Sequence, residues 1–173
     1  MKPDVSREPE VTQLAQFLNV LNAETERGLP ITAGAMLDEV LVEILKGLMA
    51  ENAEAARLLD GFNAPLGTFA ARISACYALA LIGEDEFQEL ETVRKIRNKF
   101  AHGWKPKSFE DDSIADLCGN LPWRGPSEYE DDASPRSRFS MAVSMLLVDF
   151  MWRVRLVTRE RREVKAWSSR ARA

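Results

Sequence analysis

The chain has 173 residues, of which 46% are hydrophobic and 29% are charged, and its formal net charge is −4. This composition is that of one soluble globular domain with a core of its own. One histidine and two distant cysteines cannot form a zinc site, and no Walker loop or GxGxxG motif is present, so we expect no metal and no cofactor. The polar start and the lack of a long apolar run predict a cytoplasmic protein without a membrane segment.

Apolar residues at helical spacing predict seven helices and no strand, which makes the fold class all-α. The predicted helices cover residues 9–23, 32–50, 51–59, 69–82, 84–102, 109–118 and 137–160. We expect a bundle of six to seven helices whose core is formed by 32–50, 69–82, 84–102 and 137–160. The expected domain organisation is a flexible arm at 1–8, a single helical domain at 9–165 and a basic tail at 166–173.

Glycine and proline mark the expected breaks between these helices. Gly28 and Pro30 are predicted to separate the first two helices. The stretch GFNAPLGTF, residues 61–69, predicts a tight turn that lies against helix 84–102, with Phe62 and Phe69 as anchors and a left-handed Gly67. Thr68 is the expected N-cap of the helix that follows. Apart from helix 109–118, residues 104–138 are expected to form an exposed, mobile loop.

Two further features concern cysteine and charge. Cys76 and Cys118 have apolar neighbours and no CxxC spacing, which predicts buried thiols in a reducing compartment. Residues 151–173 carry eight Arg or Lys and two Glu, a net +6 against −10 for the remaining chain. This basic end either solvates a terminal helix or meets an anionic partner. The overall acidity argues against non-specific coating of nucleic acid.

The stretch LETVRKIRNKFAHGW, residues 90–104, contains the only histidine, at the predicted end of helix 84–102, where Gly103 is the expected left-handed residue. At roughly 100° per residue, its polar residues gather on the side opposite the apolar stripe, in a sector of roughly 80°. We predict that this polar face is the functional surface; it consists of Glu91, Arg94, Asn98 and His102, with Arg97 at its margin. The alternative interpretation is that these side chains only tie the helix to its neighbours.

The charge at the start of helix 84–102 argues against a DNA-binding helix-turn-helix motif. The candidate recognition helix would insert its N-terminal end into the major groove. That end carries five carboxylates, which phosphates would repel: Glu84, Asp85, Glu86, Glu89 and Glu91. Direct DNA binding is therefore not expected.

The hexapeptide RNKFAH, residues 97–102, resembles the R-polar-x(n)-H motif of HEPN-type helical domains. In catalytic members, the resemblance implies metal-independent RNA cleavage in a composite site at a dimer interface. Arg97 would stabilise the charge that develops on phosphorus, and His102 would relay a proton. The alternative is that His102 caps carbonyl groups at the helix end while Arg97 pairs with a carboxylate.

A wider resemblance covers residues 59–121. GFNAPLGTFAARISACYALALI, then EFQELETVRKIRNKFAH, then SFEDDSI are similar to the mannitol-repressor (MltR) family of bacterial proteins. The resemblance implies an all-helical, HEPN-like bundle that regulates transcription through partner proteins, without its own DNA-reading motif. The expected function is thus that of a non-enzymatic regulator with a protein partner, such as a transcription factor. The alternative is a HEPN-type ribonuclease or toxin-like module, for which the partner is RNA.

Self-association is a further expectation. The predicted helix 137–160 has large apolar residues outside its main stripe, namely Met141, Met145, Met151 and Trp152. Apolar surface of this kind favours contact with a second copy, so we expect a homodimer.

Overall fold

The computed structural model describes residues 9–168, with side chains from residue 11 onward. This range contains seven α-helices, a short 3-10 helix at Ser127–Tyr129 and no strand, so the predicted all-α helical bundle is confirmed. The helices are α1 (Pro9–Ala23), α2 (Gly28–Leu48), α3 (Ala53–Leu59), α4 (Phe69–Ala78), α5 (Glu84–Ala101), α6 (Asp112–Gly119) and α7 (Pro135–Thr158). The predicted flexible arm, 1–8, and residues 169–173 of the predicted basic tail lie outside the described residues.

Helix α2 lies at the centre of the bundle. It packs against α1, α3, α4, α5 and α7. Its inner residues Leu37, Leu41, Ile44 and Leu45 are fully buried. Helices α1 and α6, which were not among the predicted core helices, also add buried residues: Phe17, Leu21, Ile114 and Cys118. Helix α5 packs against α2, α4, α6 and α7, so one side of it is fixed by the core.

Helix α2 begins four residues earlier than predicted. Thr25, which precedes the helix, binds its first two N–H groups. The hydroxyl of Thr25 accepts the N–H of Gly28 at 3.0 Å, and its carbonyl accepts the N–H of Leu29 at 3.0 Å. Pro30 is the third residue of the helix, where a backbone N–H would have no acceptor within the helix. The prediction that Gly28 and Pro30 separate two helices is therefore wrong, since both lie inside α2.

Helix α4 ends at Ala78, four residues before the predicted end. Ala80 has a left-handed backbone (φ 56°). The chain there folds back, and the N–H of Leu81 donates to the carbonyl of Cys76 at 2.8 Å. This is the hydrogen-bond pattern of a helix C-terminus that normally selects glycine. Gly83 is the N-cap of α5 instead, and its N–H donates to the carboxylate of Glu86 at 2.7 Å.

The turn before α4 differs from the prediction in two residues. Phe62, expected as an anchor, is 98% exposed. Gly67 is not left-handed; the positive φ angles in the turn belong to Gly61 (109°) and Asn63 (60°). Glycine at 67 is required by crowding, because a Cβ there would lie 2.9 Å from the carbonyl oxygen of Ala64.

The turn was predicted to lie against α5, but its hydrogen bonds within the described residues run to α3 and α4. The N–H of Leu66 donates to the carbonyl of Leu58 at 2.8 Å. Thr68 is the N-cap of α4, as predicted, and its hydroxyl accepts the N–H of Ala71 at 3.2 Å. The turn is thereby held at the start of α4.

Arg72 connects the turn to the central helix. Its guanidinium donates to Asp38 Oδ2 on α2 at 2.6 Å, to the carbonyl of Leu66 at 2.8 Å and to the carbonyl of Leu59 at 3.1 Å. The side chains of Arg72 and Asp38 are 14% and 26% exposed, so this ion pair is largely shielded from water. One side chain thus joins α2, α3 and α4.

The prediction of an exposed loop at 104–138 outside helix 109–118 is only partly right. Leu121 is buried in the core. Phe109, predicted as the first helical residue, precedes α6 and packs between the rings of Phe100 at 4.9 Å and Phe139 at 5.4 Å. At the other end, Ser134 caps α7 by accepting the N–H of Ser137 at 3.1 Å. The segment is therefore anchored by apolar contacts at several points.

Both cysteines are buried, as predicted. Burial raises the pKa of Cys76 to about 12. Burial also raises the pKa of Cys118 to about 12, with a smaller contribution from the charge of Glu110. These thiols are therefore core residues without thiolate character at neutral pH. None of the described helices combines the length and apolar composition needed to cross a bilayer.

Candidate functional site

The polar face of α5 begins with an ion pair. Arg94 Nε donates to Glu91 Oε1 at 2.9 Å and Arg94 Nη2 donates to Glu91 Oε2 at 2.7 Å. The two side chains are 27% and 21% exposed. The bond from Arg94 lowers the pKa of Glu91, and the bond to Glu91 raises the pKa of Arg94. This bidentate geometry fixes both side chains along the helix.

Arg97 and Asn98 form the second pair. Arg97 Nη1 donates to Asn98 Oδ1 at 3.1 Å. The aliphatic part of Arg97 lies against α2 at Gly34, where a Cβ would come within 3.1 Å of Arg97 Cγ. Arg97 has no carboxylate partner among residues 9–168, so the alternative in which it pairs with a carboxylate is wrong.

His102 ends the face. It is the C-cap of α5, with an extended backbone (φ −95°, ψ 136°), and Gly103 follows in the left-handed conformation (φ 88°) that was predicted. Its imidazole is exposed and forms no hydrogen bond within the described part of the chain. In particular, no hydrogen bond joins His102 to Arg97, so one chain does not assemble a hydrogen-bonded Arg–His pair.

Although His102 occupies the C-cap position, the side chain that binds the carbonyl groups at the end of α5 is that of Arg27. Arg27 Nη2 donates to the carbonyl of Gly103 at 3.0 Å and to that of Ala101 at 3.4 Å. The proposed capping role of His102 is therefore wrong. A guanidinium at this position also compensates the negative end of the helix dipole.

Glu26, beside Arg27, fixes the chain beyond α5. Its carboxylate accepts the N–H of Phe109 at 3.0 Å, the hydroxyl of Ser108 at 3.3 Å and Arg136 Nη1 at 3.0 Å. Although burial opposes it, these donors lower the pKa of Glu26. No local pattern in the sequence predicts this cluster, since its partners lie 82 to 110 residues away.

A second feature, missed in the sequence, is the buried carboxylate of Glu89. Only 5% of the residue is exposed; Arg124 binds Oε1, and Oε2 has no partner among the described residues. Burial raises the pKa of Glu89 despite the contact with Arg124. Glu89 and Trp123 both line a groove of about 650 Å³. The signal was present, because Glu89 falls on the apolar stripe, four residues before Val93.

The fold and this face define an all-α helical bundle with a charged helix surface. No family model and no curated protein matches the sequence. Among solved structures, the chain is similar to a chain in the X-ray structure of the MtlR–HPr complex from Escherichia coli. The identity is 23%, the TM-score is 0.55, and the match covers 85% of this chain and 99% of that one. At this identity the likeness shows a common MtlR-like fold.

Proposed function

We propose that this protein is a non-enzymatic, cytoplasmic regulator of the mannitol-repressor type that acts by binding a protein partner, such as a transcription factor. The proposed binding face is the polar face of α5, formed by Glu91, Arg94, Arg97, Asn98 and His102. In this proposal, DNA is contacted by the partner and not by this chain.

The fold likeness carries the proposal. The similar chain belongs to a complex of MtlR with HPr, so a protein of this architecture binds a second protein. The match extends over 85% of the present chain and 99% of the other chain.

The chemistry of the face also supports recognition of a protein surface. It offers a guanidinium, a carboxylate, an amide and an imidazole along one helix. Charged and polar groups of this kind fix the register and the partner choice of protein interfaces. The acidic N-terminal end of α5, by contrast, is poorly suited to nucleic-acid phosphates.

The test compares His102→Ala and Arg97→Ala with a surface control, Arg57→Ala, whose side chain is 77% exposed on α3. Tagged proteins are used to isolate partners from the native host. The dissociation constant of each purified partner is then measured by calorimetry, with HPr of the same host as a defined probe. We expect the two face variants to keep their melting temperature and to lose partner binding, while the control keeps both.

Other results would contradict the proposal. Partner binding that is unchanged in both face variants would remove the polar face as the site. Loss of an RNA-cleaving activity in both variants, measured on a labelled RNA, would support the HEPN-type ribonuclease. Loss of stability by about 1–3 kcal/mol in both variants would make the face part of the scaffold.

We also propose a homodimer through the outer surface of α7. Met151, one of the four residues expected there, is buried within the chain. Trp152 is 45% exposed and Leu156, four residues later, is 53% exposed, so the apolar surface on α7 includes these two side chains. Analytical ultracentrifugation should show a dimer that Trp152→Glu dissociates; a concentration-independent monomer of the wild type would contradict the proposal.

A further inference from the structure

The second half of α5 and the loop after it carry more positive charge than the nearby carboxylate of Glu91 compensates. From Thr92 to Phe109 the sequence has six Lys or Arg residues and no Asp or Glu, in a chain of net charge −4. Among the described residues, only one of the six, Arg94, forms an ion pair with a carboxylate, that of Glu91, whose charge also acts on Lys95. Lys99 binds the neutral hydroxyl of Ser113 at 3.1 Å. The remaining positive charge is therefore available to an anion from outside the chain.

These basic residues lie on one side of the molecule. Lys95, Lys99 and His102 follow one another at steps of four and three, which places them on the same face of α5. The loop that continues from this face returns to the α1–α2 connection, because Arg27 binds the carbonyl of Gly103 and Glu26 binds the N–H of Phe109. The loop residues between these two anchors are thus held at the end of α5.

An exposed aromatic residue stands in the middle of this charge. Trp104 is 84% exposed, although tryptophan is normally one of the more buried residues. Lys105 and Lys107 follow it directly in the loop. Tryptophan is the side chain most enriched at the energetic centres of protein interfaces. Glu26 binds the end of this loop at Ser108 and Phe109, and with Arg136 its carboxylate is already bound by three donors.

We propose that this basic strip, formed by Arg27, Lys95, Lys99, Lys105 and Lys107 around Trp104, is a docking surface for an acidic protein surface. The inference rests on the proposed function, since it names the chemistry of the partner. Opposite charges steer the partner to the strip, and its apolar side chains bury the indole of Trp104.

Charge favours a protein over a nucleic acid as the occupant. A nucleic acid is a long polyanion whose field extends well beyond the strip. The exposed carboxylates Glu110, Asp111 and Asp112 follow the strip directly, and the chain as a whole is acidic. These negative charges repel an extended polyanion, whereas a compact acidic patch on a protein contacts only the basic strip.

The first experiment measures binding to a defined probe by fluorescence anisotropy. The probe is a short labelled peptide of alternating Glu and Leu, compared with an oligouridylate of equal net charge. The test variants are Lys95→Glu/Lys99→Glu and Trp104→Ala. Their matched controls are Lys46→Glu/Lys165→Glu and Trp167→Ala, the latter at a tryptophan that is 86% exposed.

We expect the peptide to bind more tightly than the oligouridylate and to weaken as salt increases. Each test variant should weaken peptide binding by about tenfold or more, and each control should change it by less than about twofold. Absence of peptide binding, equal losses in controls and test variants, or preferential binding of the oligouridylate would each overturn the inference.

A second experiment in the native host separates this inference from the proposed function. A photo-crosslinking amino acid is placed at position 104 or, as a control, at position 167. A protein captured from 104 supports the inference only if, once purified, it binds the Lys95→Glu/Lys99→Glu variant at least about tenfold more weakly. If a regulatory partner is captured only from positions other than 104, the proposed function stands, and the inference that the basic strip is a docking surface is overturned. A host with no protein partner at all overturns the proposed function.

Discussion

Arg27 Nη2 donates a hydrogen bond of 3.0 Å to the carbonyl oxygen of Gly103, across 76 positions of sequence. This bond joins the start of α2 to the end of α5. The same nitrogen also donates to the carbonyl of Ala101 at 3.4 Å, one of the terminal carbonyl groups that the helix itself cannot satisfy. The polar face of α5 and the loop that carries Trp104 are therefore positioned by a residue outside both.

The first prediction concerns this cap. Arg27→Ala should lower the free energy of unfolding by about 0.5–1.5 kcal/mol, a modest loss because the guanidinium is exposed to water. Urea denaturation followed by circular dichroism measures it. The control is Arg57→Ala, which removes only an exposed ion pair with Glu54 and should change stability by less than about 0.5 kcal/mol. Equal effects in the two variants would show that the cap does not stabilise the fold.

The second prediction concerns Arg72. Arg72→Met removes the partner of Asp38 and two carbonyl bonds, and it leaves a carboxylate whose other oxygen is already buried without a partner among the described residues. We expect a loss of about 2–4 kcal/mol in the free energy of unfolding. Adding Asp38→Asn should restore part of it, because the unpaired charge is then removed. A double variant no more stable than Arg72→Met alone would contradict this account.

The third prediction concerns the turn before α4. Gly67→Ala should cost about 1–3 kcal/mol, since the new Cβ would press against the carbonyl of Ala64. Gly119→Ala is a suitable control because, apart from its chain neighbours and the backbone of its own helix, no atom of the described residues lies within 4 Å of the position of its Cβ. Thermal unfolding compares the two. If both variants have the melting temperature of the wild type, the turn accommodates the new Cβ without strain, and the prediction is wrong.

The fourth prediction concerns the pH dependence of stability. Burial raises the pKa of Glu89 above its ordinary value of 4.5. The folded chain therefore binds this proton more tightly than the unfolded chain does. The resulting stabilisation is complete below the unfolded pKa and is lost as the pH rises through the folded pKa. Glu89→Gln should accordingly gain melting temperature relative to the wild type between about pH 4 and about pH 7.

Glu91→Gln, on the same helix, should change the pH dependence of stability in the opposite direction. The bond from Arg94 lowers the pKa of Glu91, so its stabilisation is present above the unfolded pKa and is lost as the pH falls through the folded pKa. Relative to the wild type, this variant should lose melting temperature as the pH rises through the region below the ordinary pKa of 4.5, and it should follow the wild type in parallel above that region. If both variants follow the wild type in parallel at every pH, neither carboxylate contributes as described.

The sequence determined the helices and several of their ends. The apolar stripe of Leu90, Val93, Ile96 and Phe100 predicted α5, and all four residues are buried. Thr68 as an N-cap and Gly103 as a left-handed residue were also predicted correctly. These features depend on residues within one or two helical turns, which is the range over which periodicity and capping act.

The tertiary structure decided which polar groups meet. Arg27 reaches Gly103 across 76 positions, Arg72 reaches Asp38 across 34, and Arg124 reaches Glu89 across 35. Once Arg27 occupies the end of α5, His102 is not needed as a cap, and its imidazole stays exposed. No local pattern specifies such pairs, because a buried polar group takes whichever donor the packing of distant helices brings within reach.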